Sequence, residues 1–275
     1  MKISEVISKL EAYHSKLDPN QRTCDGIKYG DPDKECTGIA VTCCPTAAVI
    51  KKAAELSYNF VICHEPTFFD GWDEVDWMEN DRVYKAKTKL LDETGVVIYR
   101  DHDRLHNDKP DGIFSGLVKK LGWEDYAVDD GFFPASKYLL PETTVRDVAR
   151  HVADTMHIDG IRIIGDPDMK ITKAGICAHF LGGPMDKAGI NRIENDDYEL
   201  TIPGEIIDWT LGEYIEDSNT LGKKKAVLNV GHFNLEEPGM EYMAEWLPGV
   251  IGGEVPVWFI QSDNSFRWLD YSIKE

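Results

Sequence analysis

The chain lacks what several classes of protein require. None of its 275 residues falls in a run of about 18 apolar residues, the minimum for a helix that crosses a membrane. The opening Met1-Lys2-Ile3-Ser4-Glu5 leads into an amphipathic pattern and not into the apolar stretch of a secretory leader, so the expected compartment is the cytoplasm. The six cysteines (Cys24, Cys36, Cys43, Cys44, Cys63 and Cys177) are too few and too irregularly spaced for a disulfide framework. The vicinal Cys43-Cys44 has no partner CxxC, which argues against a zinc ribbon, and all six are expected as reduced, mostly buried residues. Positive charge is also short: 30 Lys+Arg stand against 49 Asp+Glu, a net charge of −19. That field repels phosphate backbones and anionic lipid, so neither non-specific nucleic-acid binding nor membrane-surface binding is expected. It does not exclude a small substrate in one pocket. With 42% hydrophobic residues and no low-complexity tract or repeat, the composition is that of a folded globular chain.

The elements alternate. Ile3, Val6, Ile7, Leu10, Tyr13 and Leu17 recur at helical spacing, and a turn-rich stretch follows from Asp25 to Asp33. Apolar strand-like runs at Gly38–Cys44, Phe60–Cys63 and Val96–Tyr99 are separated by helical patterns starting at Pro45 and spanning 81–93. In the second half Thr144-Val145-Arg146-Asp147 reads as a capping box opening a helix. Strands are expected at 161–164, 173–177 and 225–230, and helices near 186–194 and 207–217. Met240, Met243, Ala244 and Leu247 share a last helical face, and Val255–Ile260 and Phe266–Tyr271 are strand-like. Strands alternating with helices predict an α/β fold with largely parallel or mixed sheets. The best domain-boundary candidate is the Pro- and Asp-rich segment from 125 to 135.

The chemistry lies in where the histidines fall. His64 and Glu65 directly follow the run Phe60–Cys63; His102 and His106 follow Val96–Tyr99; His232 and Glu236 follow Ala226–Val230. Ligand sites of open α/β sheets lie beyond the carboxyl ends of the strands, so three such deliveries could converge if the strands are neighbours. Four imidazoles and two carboxylates exceed the needs of one tetrahedral zinc and suit two divalent ions, Zn, Fe or Mn. His102 and His106, like His232 and Glu236, are four residues apart and would share a helix face. His64-Glu65-Pro66 is not a helical zinc-protease motif, because Phe68 stands where the second histidine belongs. His14, His151, His157 and His179 have no such company and read as ordinary hydrogen-bonded residues. The acidic stretch Phe68–Asp81 reads as a solvated loop with Trp72 and Trp77 tucked against the body, or as a lid over the site.

At these residues the sequence resembles the GTP cyclohydrolase 1 type 2 / NIF-three-like family of dinuclear-metal proteins. Val61–Pro66 resembles the family's strand with a His-His-Pro motif, and Val97–His106 its strand followed by His-x-x-x-Asp. Val230–Glu236 resembles its Gly-His-x-x-x-Glu motif, and Gly204–Trp209 the segment approaching the site from the second domain. Here Glu65 replaces a histidine and His106 an aspartate, so a histidine and a carboxylate have exchanged places and the inventory is kept. The resemblance implies two interlinked α/β domains with the metal site between them. The first would span 1–126 and be completed by 232–275, with 127–231 as the second. It also implies a toroidal homohexamer.

The expected function is that of a dinuclear-metal protein acting as a hydrolase on a nucleotide-like or other small substrate, since bound metal brings the pKa of water from 15.7 toward roughly 7. The alternative is a metal-delivery or oligomeric regulatory protein without turnover. No GxxxxGK[ST] phosphate loop is present.

Overall fold

A computed structural model describes residues 1–129, 131–177 and 179–268. It is mixed α/β and forms two compact units, Met1–Gly116 with Glu237–Ser262, and Leu117–Glu236 with Asp263–Glu275. Each unit carries a sheet of five strands.

In the first unit, strands β1 (Gly26–Tyr29), β2 (Ile39–Thr42), β3 (Phe60–Cys63), β4 (Val97–Arg100) and β10 (Val257–Phe259) run in the order β1-β4-β3-β2-β10. Only β1 pairs antiparallel; the other pairings are parallel. Every residue of β2, β3 and β4 is buried, as expected of central parallel strands covered on both faces. Helices α2 (Ala47–Glu55) and α3 (Arg82–Thr94) make the β2–β3–β4 crossovers and place Val49, Ile50, Ala53 and Leu91 on Ala40, Val61 and Ile98. Thr46 and Asp81 cap their first turns, and Gly95, at φ +66°, ends α3 in a backbone region that favours glycine. The next residue along β4 points to the opposite face: Tyr99 donates its hydroxyl to Glu11 of α1 (Ile3–Tyr13), which buries Ile3, Val6 and Leu10. Helix α4 is Asp103–Asn107, and α5 (Gly112–Leu121) meets the last helix, α9 (His232–Ile251), at Gly116. A Cβ on Gly116 would stand 2.6 Å from the Gly239 Cα, so the helices touch backbone to backbone.

The second unit holds β5 (Lys137–Thr144), β6 (Arg162–Ile164), β7 (Lys170–Ile176), β8 (Leu200–Ile202) and β9 (Ala226–Asn229) in the order β5-β7-β8-β9-β6. The central pairs β7–β8 and β8–β9 are parallel, and β5 and β6 flank them antiparallel. Thr144 caps α6 (Val145–Met156) as the sequence predicts, accepting the Asp147 N–H at 3.1 Å. Helix α7 spans Pro184–Asn195, and α8 (Glu213–Thr220) is preceded by one π-helical turn, Asp208–Gly212. The last helix is longer than its apolar stripe suggests, starting at His232 and containing both Pro238 and Pro248.

Three expectations change. The run Ala226–Val230 is not a sheet neighbour of the two that carry His64 and His102, because β9 belongs to the other sheet. Trp72 and Trp77 are not tucked in: they are 43% and 67% exposed, Trp72 lying under the Arg22 guanidinium at 4.0 Å. Within that loop Asp73 is buried instead, because its carboxylate accepts the backbone N–H of Thr67 and of Phe68. The strand expected at Phe266–Tyr271 is absent over 266–268, and its remainder lies outside the described residues. All six cysteines are free thiols, four of them buried. No helix among the described residues is long and apolar enough to cross a membrane.

Candidate metal centres

In the first unit, register decides the site. Parallel β3 and β4 pair Cys63 with Arg100, so His64 and Asp101-His102 leave the same sheet edge side by side. The Asp101 N–H donates to the Cys63 carbonyl at 2.8 Å and the Arg100 Nε to the His64 carbonyl at 2.8 Å, fixing both turns. Helix α4 then brings His106 round one turn later. The start of that helix is held by the buried Asp25 carboxylate, which accepts the N–H groups of His102, Asp103 and Arg104 at 2.8–3.0 Å. As a result the His64 and His102 rings stack with centroids 4.4 Å apart, and His106 lies edge-on to them at 5.0 and 4.8 Å. One ligand atom from each ring falls within 4.8 Å of the others.

The hydrogen bonds behind the rings select the tautomer. Nδ1 of His64 donates to the Asp101 carbonyl (3.2 Å), Nδ1 of His102 to Asp103 Oδ1 (2.9 Å) and Nδ1 of His106 to Asp111 Oδ2 (2.8 Å). A neutral imidazole with its proton on Nδ1 presents a lone pair on Nε2, and this outer bonding is what metal-ligating histidines show. Neutrality is enforced: burial, then the neighbouring His64 and His106, pushes His102 down to about 4. Burial works against the charge of Asp103, but hydrogen bonds from the Cys24 amide and His102 hold it at about 2, an ionised acceptor. Asp111 has a second task, since its Oδ1 accepts the N–H groups of Ile113 and Phe114 at the start of α5. Cys24, beside His102 and Asp103, is driven up to about 12 by burial and stays a thiol, donating to Asp103 Oδ1 at 3.5 Å. Glu65 is placed differently from the imidazoles, with its carboxylate 3.6 Å from the Arg100 guanidinium.

In the second unit the same logic recurs at the ends of β7, β8 and β9. His179 follows β7, Glu205 follows β8 in a bridge with His179, and His232 follows β9. Gly231, at φ +91°, makes the sharp turn that starts α9 on His232 and sets Glu236 one turn later. The His179 and His232 rings stack at 4.0 Å, and the two Glu236 oxygens lie 3.0 Å from His179 Nε2 and 3.2 Å from His232 Nε2. His232 therefore has carboxylates at both nitrogens, because Glu205 Oε2 is 3.1 Å from its Nδ1. A neutral imidazole can donate to only one of them. The second contact therefore needs either a further proton, on the ring or on the buried Glu236, or a cation between Nε2 and Glu236. The buried Nδ1 of His179 has no hydrogen-bond partner among the described residues, a cost that its position in a ligand cluster would explain. This donor set of two imidazoles and one carboxylate fits a divalent ion, as the three anchored imidazoles of the first unit do.

The structure thus groups His64 with His102 and His106, and groups His232 with Glu236. It adds His179, which no local pattern marks out: its partners Glu205 and His232 are 26 and 53 residues further along and meet it only through β7–β8–β9 pairing. The only local trace is Gly204, where a Cβ would stand 2.6 Å from the His179 ring. His14 is likewise more than an ordinary polar residue. It is buried between Asp101 (3.0 Å) and Asp108 (2.7 Å), bracing the turn that carries His102. His151 keeps its plain role, donating to the Leu121 carbonyl.

The sequence profile of the family described as Duf34/NIF3 (NGG1p interacting factor 3) matches residues 1–265. A "GTP cyclohydrolase 1 type 2 homolog" of Clostridium acetobutylicum is 24% identical over 240 residues, covering 82% of each chain. One of Clostridium perfringens is 25% identical over 227 residues, covering 80% of this chain and 81% of the relative. The fold is similar to that of a Bacillus cereus protein related to NIF3, with a TM-score of 0.72 at 15% identity over 98% of this chain and 99% of the other.

Proposed function

Because the chain belongs to the Duf34/NIF3 family across residues 1–265, we propose that it is a metal-dependent hydrolase of a nucleotide-like or other small substrate. In this reading it uses two divalent ions. His64, His102 and His106 hold one, with Glu65 supplying the carboxylate that the three imidazoles lack; His232 and Glu236, joined by His179, hold the other. The observation that carries the proposal is the Nδ1 anchoring of all three imidazoles in the first unit, which puts each lone pair on Nε2 as in metal-ligating histidines, with the three rings close enough to share one ion. The nucleotide class comes from the name of the clostridial relatives.

A divalent ion supplies Lewis acidity and lowers the pKa of water bound to it. The chain's own residues do the rest. Asp103 and Asp111 hold the His102 and His106 rings in one tautomer, so no proton competes for Nε2. Glu205 keeps the His232 proton on Nδ1 and, half exposed in the lining of a cavity beside the second cluster, can accept a proton. The assembly belonging to this reading is a homohexamer, for which light scattering should give six times the chain mass.

Metal analysis of protein purified without added metal, with anomalous scattering, tests the core of this proposal. Two ions per chain are expected, with His64→Ala and His232→Ala each removing one. Turnover of nucleotides should vanish on chelation and return with metal. Folded, fully loaded protein that is inert toward a broad panel of small phosphate and amide substrates would defeat the hydrolase reading.

A further inference from the structure

Beside the second cluster lies a cavity of about 540 Å³, formed entirely by residues of the second unit. Its size is that of a small-ligand site. His232 and Glu205 belong to its wall, so whatever fills it lies against the cluster. The rest of the lining includes aromatic rings and guanidinium groups, Phe266, Trp268, Arg162 and Arg267, with the apolar Ile206 and Ile207.

The groups are prepared for a ligand in different ways. Arg162 on β6 is clamped, since its Nε and Nη2 both donate to Asn229 Oδ1, at 3.1 and 2.6 Å. Asn229 is fixed in turn by donating to the Gly204 carbonyl at 2.7 Å. This holds the guanidinium plane still while Nη1 keeps its hydrogens for another acceptor. Arg267 Nη1 is turned back to the carbonyl oxygens of Asn264 and Phe266, and among the described residues Nε and Nη2 have no acceptor. Trp268 rests on Gly160, where a Cβ would come within 2.4 Å of two ring carbons, and stays 48% exposed. Phe266 is 69% exposed. Large open ring faces on a cavity wall, next to fixed cations in a protein of net charge −19, are a local reversal of the molecule's character.

We propose that this cavity binds a small ligand made of one planar aromatic ring and one anionic group, the ring on Trp268 and the anion on Arg162 and Arg267, presented to the His232–Glu236 cluster. The inference deepens the hydrolase reading and rests on it for the role of the bound molecule, though not for binding itself. Two guanidinium groups offset by Glu205 suit a carboxylate or a phosphate monoester. A triphosphate would bring its further charges against Glu205 and against Glu236 beside His232, so the ligand is a mononucleotide-like or aromatic carboxylate anion.

Calorimetric titration of the full chain tests this, in metal-loaded and in chelated form. The probes are adenosine 5′-monophosphate and quinoline-2-carboxylate, each compared with its ring alone and with inorganic phosphate or acetate, and adenosine triphosphate as the highly charged control. At least one composite probe should bind tenfold or more tightly than either of its fragments, and the one that does identifies the anion as phosphate or carboxylate. The monophosphate should bind more tightly than the triphosphate. Arg162→Gln and Trp268→Ala should each weaken the composite probe at least tenfold with the metal content unchanged. Gly160→Ala, which displaces the Trp268 ring without altering charge or requiring an unusual backbone, serves as the second variant should Trp268→Ala misfold. Composite probes no better than their fragments, a tighter triphosphate, or undiminished binding in the arginine and tryptophan variants would overturn the inference. Wild-type protein that takes up no metal yet binds a composite probe would defeat the hydrolase reading and leave this one standing.

Discussion

His14 offers a sharp test of how the first cluster is braced. Its side chain is fully buried, with Nε2 3.0 Å from Asp101 Oδ2 and Nδ1 2.7 Å from Asp108 Oδ2. Burial disfavours the charged ring, but hydrogen bonds to the two carboxylates outweigh it and raise His14 from its ordinary 6.5 to about 9. A group that binds its proton more tightly when folded stabilises the fold fully below pH 6.5, and that contribution is lost as pH rises through 9. Each pH unit between those values is worth up to about 1.4 kcal/mol, so the whole window amounts to roughly 3 kcal/mol. The same pair is less favourable from the other side, because burial raises the fully buried Asp101 while His14 lowers it. The net stabilisation is therefore smaller than the pH-dependent part, and the pH dependence is the quantity to measure. Denaturant unfolding of wild type should show stability falling between pH 7 and 9.5 more steeply than in His14→Gln, whose side chain does not titrate. The difference should approach 2 to 3 kcal/mol, by the same conversion. Magnetic resonance titration of the His14 ring in folded protein should give a midpoint well above 6.5. Parallel stability curves together with an ordinary ring midpoint would refute the account of this turn as an ionised carboxylate–imidazolium–carboxylate bridge.

Two further expectations follow from the anchoring geometry. Asp111→Asn keeps a cap for α5 but exchanges a charged acceptor for an amide at His106 Nδ1, and should weaken metal binding in the first unit roughly 10- to 100-fold by equilibrium dialysis; unchanged affinity would mean that His106 is no ligand. Gly204→Ala drives a Cβ to 2.6 Å from His179 Cε1 and should cost about 1–3 kcal/mol as overpacking, with one metal lost per chain by elemental analysis; full retention of both metals would remove His179 from the second cluster.

Much of the fold was legible because it is local. The buried run Phe60–Cys63, the run Val96–Tyr99, which the structure shifts by one residue to Val97–Arg100, and the capping box at Thr144 are each decided within a few residues. Strands with weaker local signals, Gly26–Tyr29 and Leu200–Ile202, were not foreseen, since they owe their existence to neighbours that supply the ladder. The same division governs the candidate centres. His102 with His106, and His232 with Glu236, sit at helical spacing after an apolar run, so sequence alone groups them in pairs.

What sequence by itself determined is the inventory and its order: an acidic α/β chain that delivers imidazoles and carboxylates directly beyond its strands. Tertiary structure decided who meets whom. It split the three strands that precede these histidines between two sheets, recruited His179 and Glu205 through the parallel pairing of β7, β8 and β9, and brought Asp25 to the start of α4. The reason is physical. A side chain's identity, its place on a strand or helix, and short-range bonds such as His102 to Asp103 and His106 to Asp111 are local properties. Sheet order, the bond from His64 to the Asp101 carbonyl and the contact of His232 with Glu205 come from pairings dozens of residues apart, and no spacing rule encodes them.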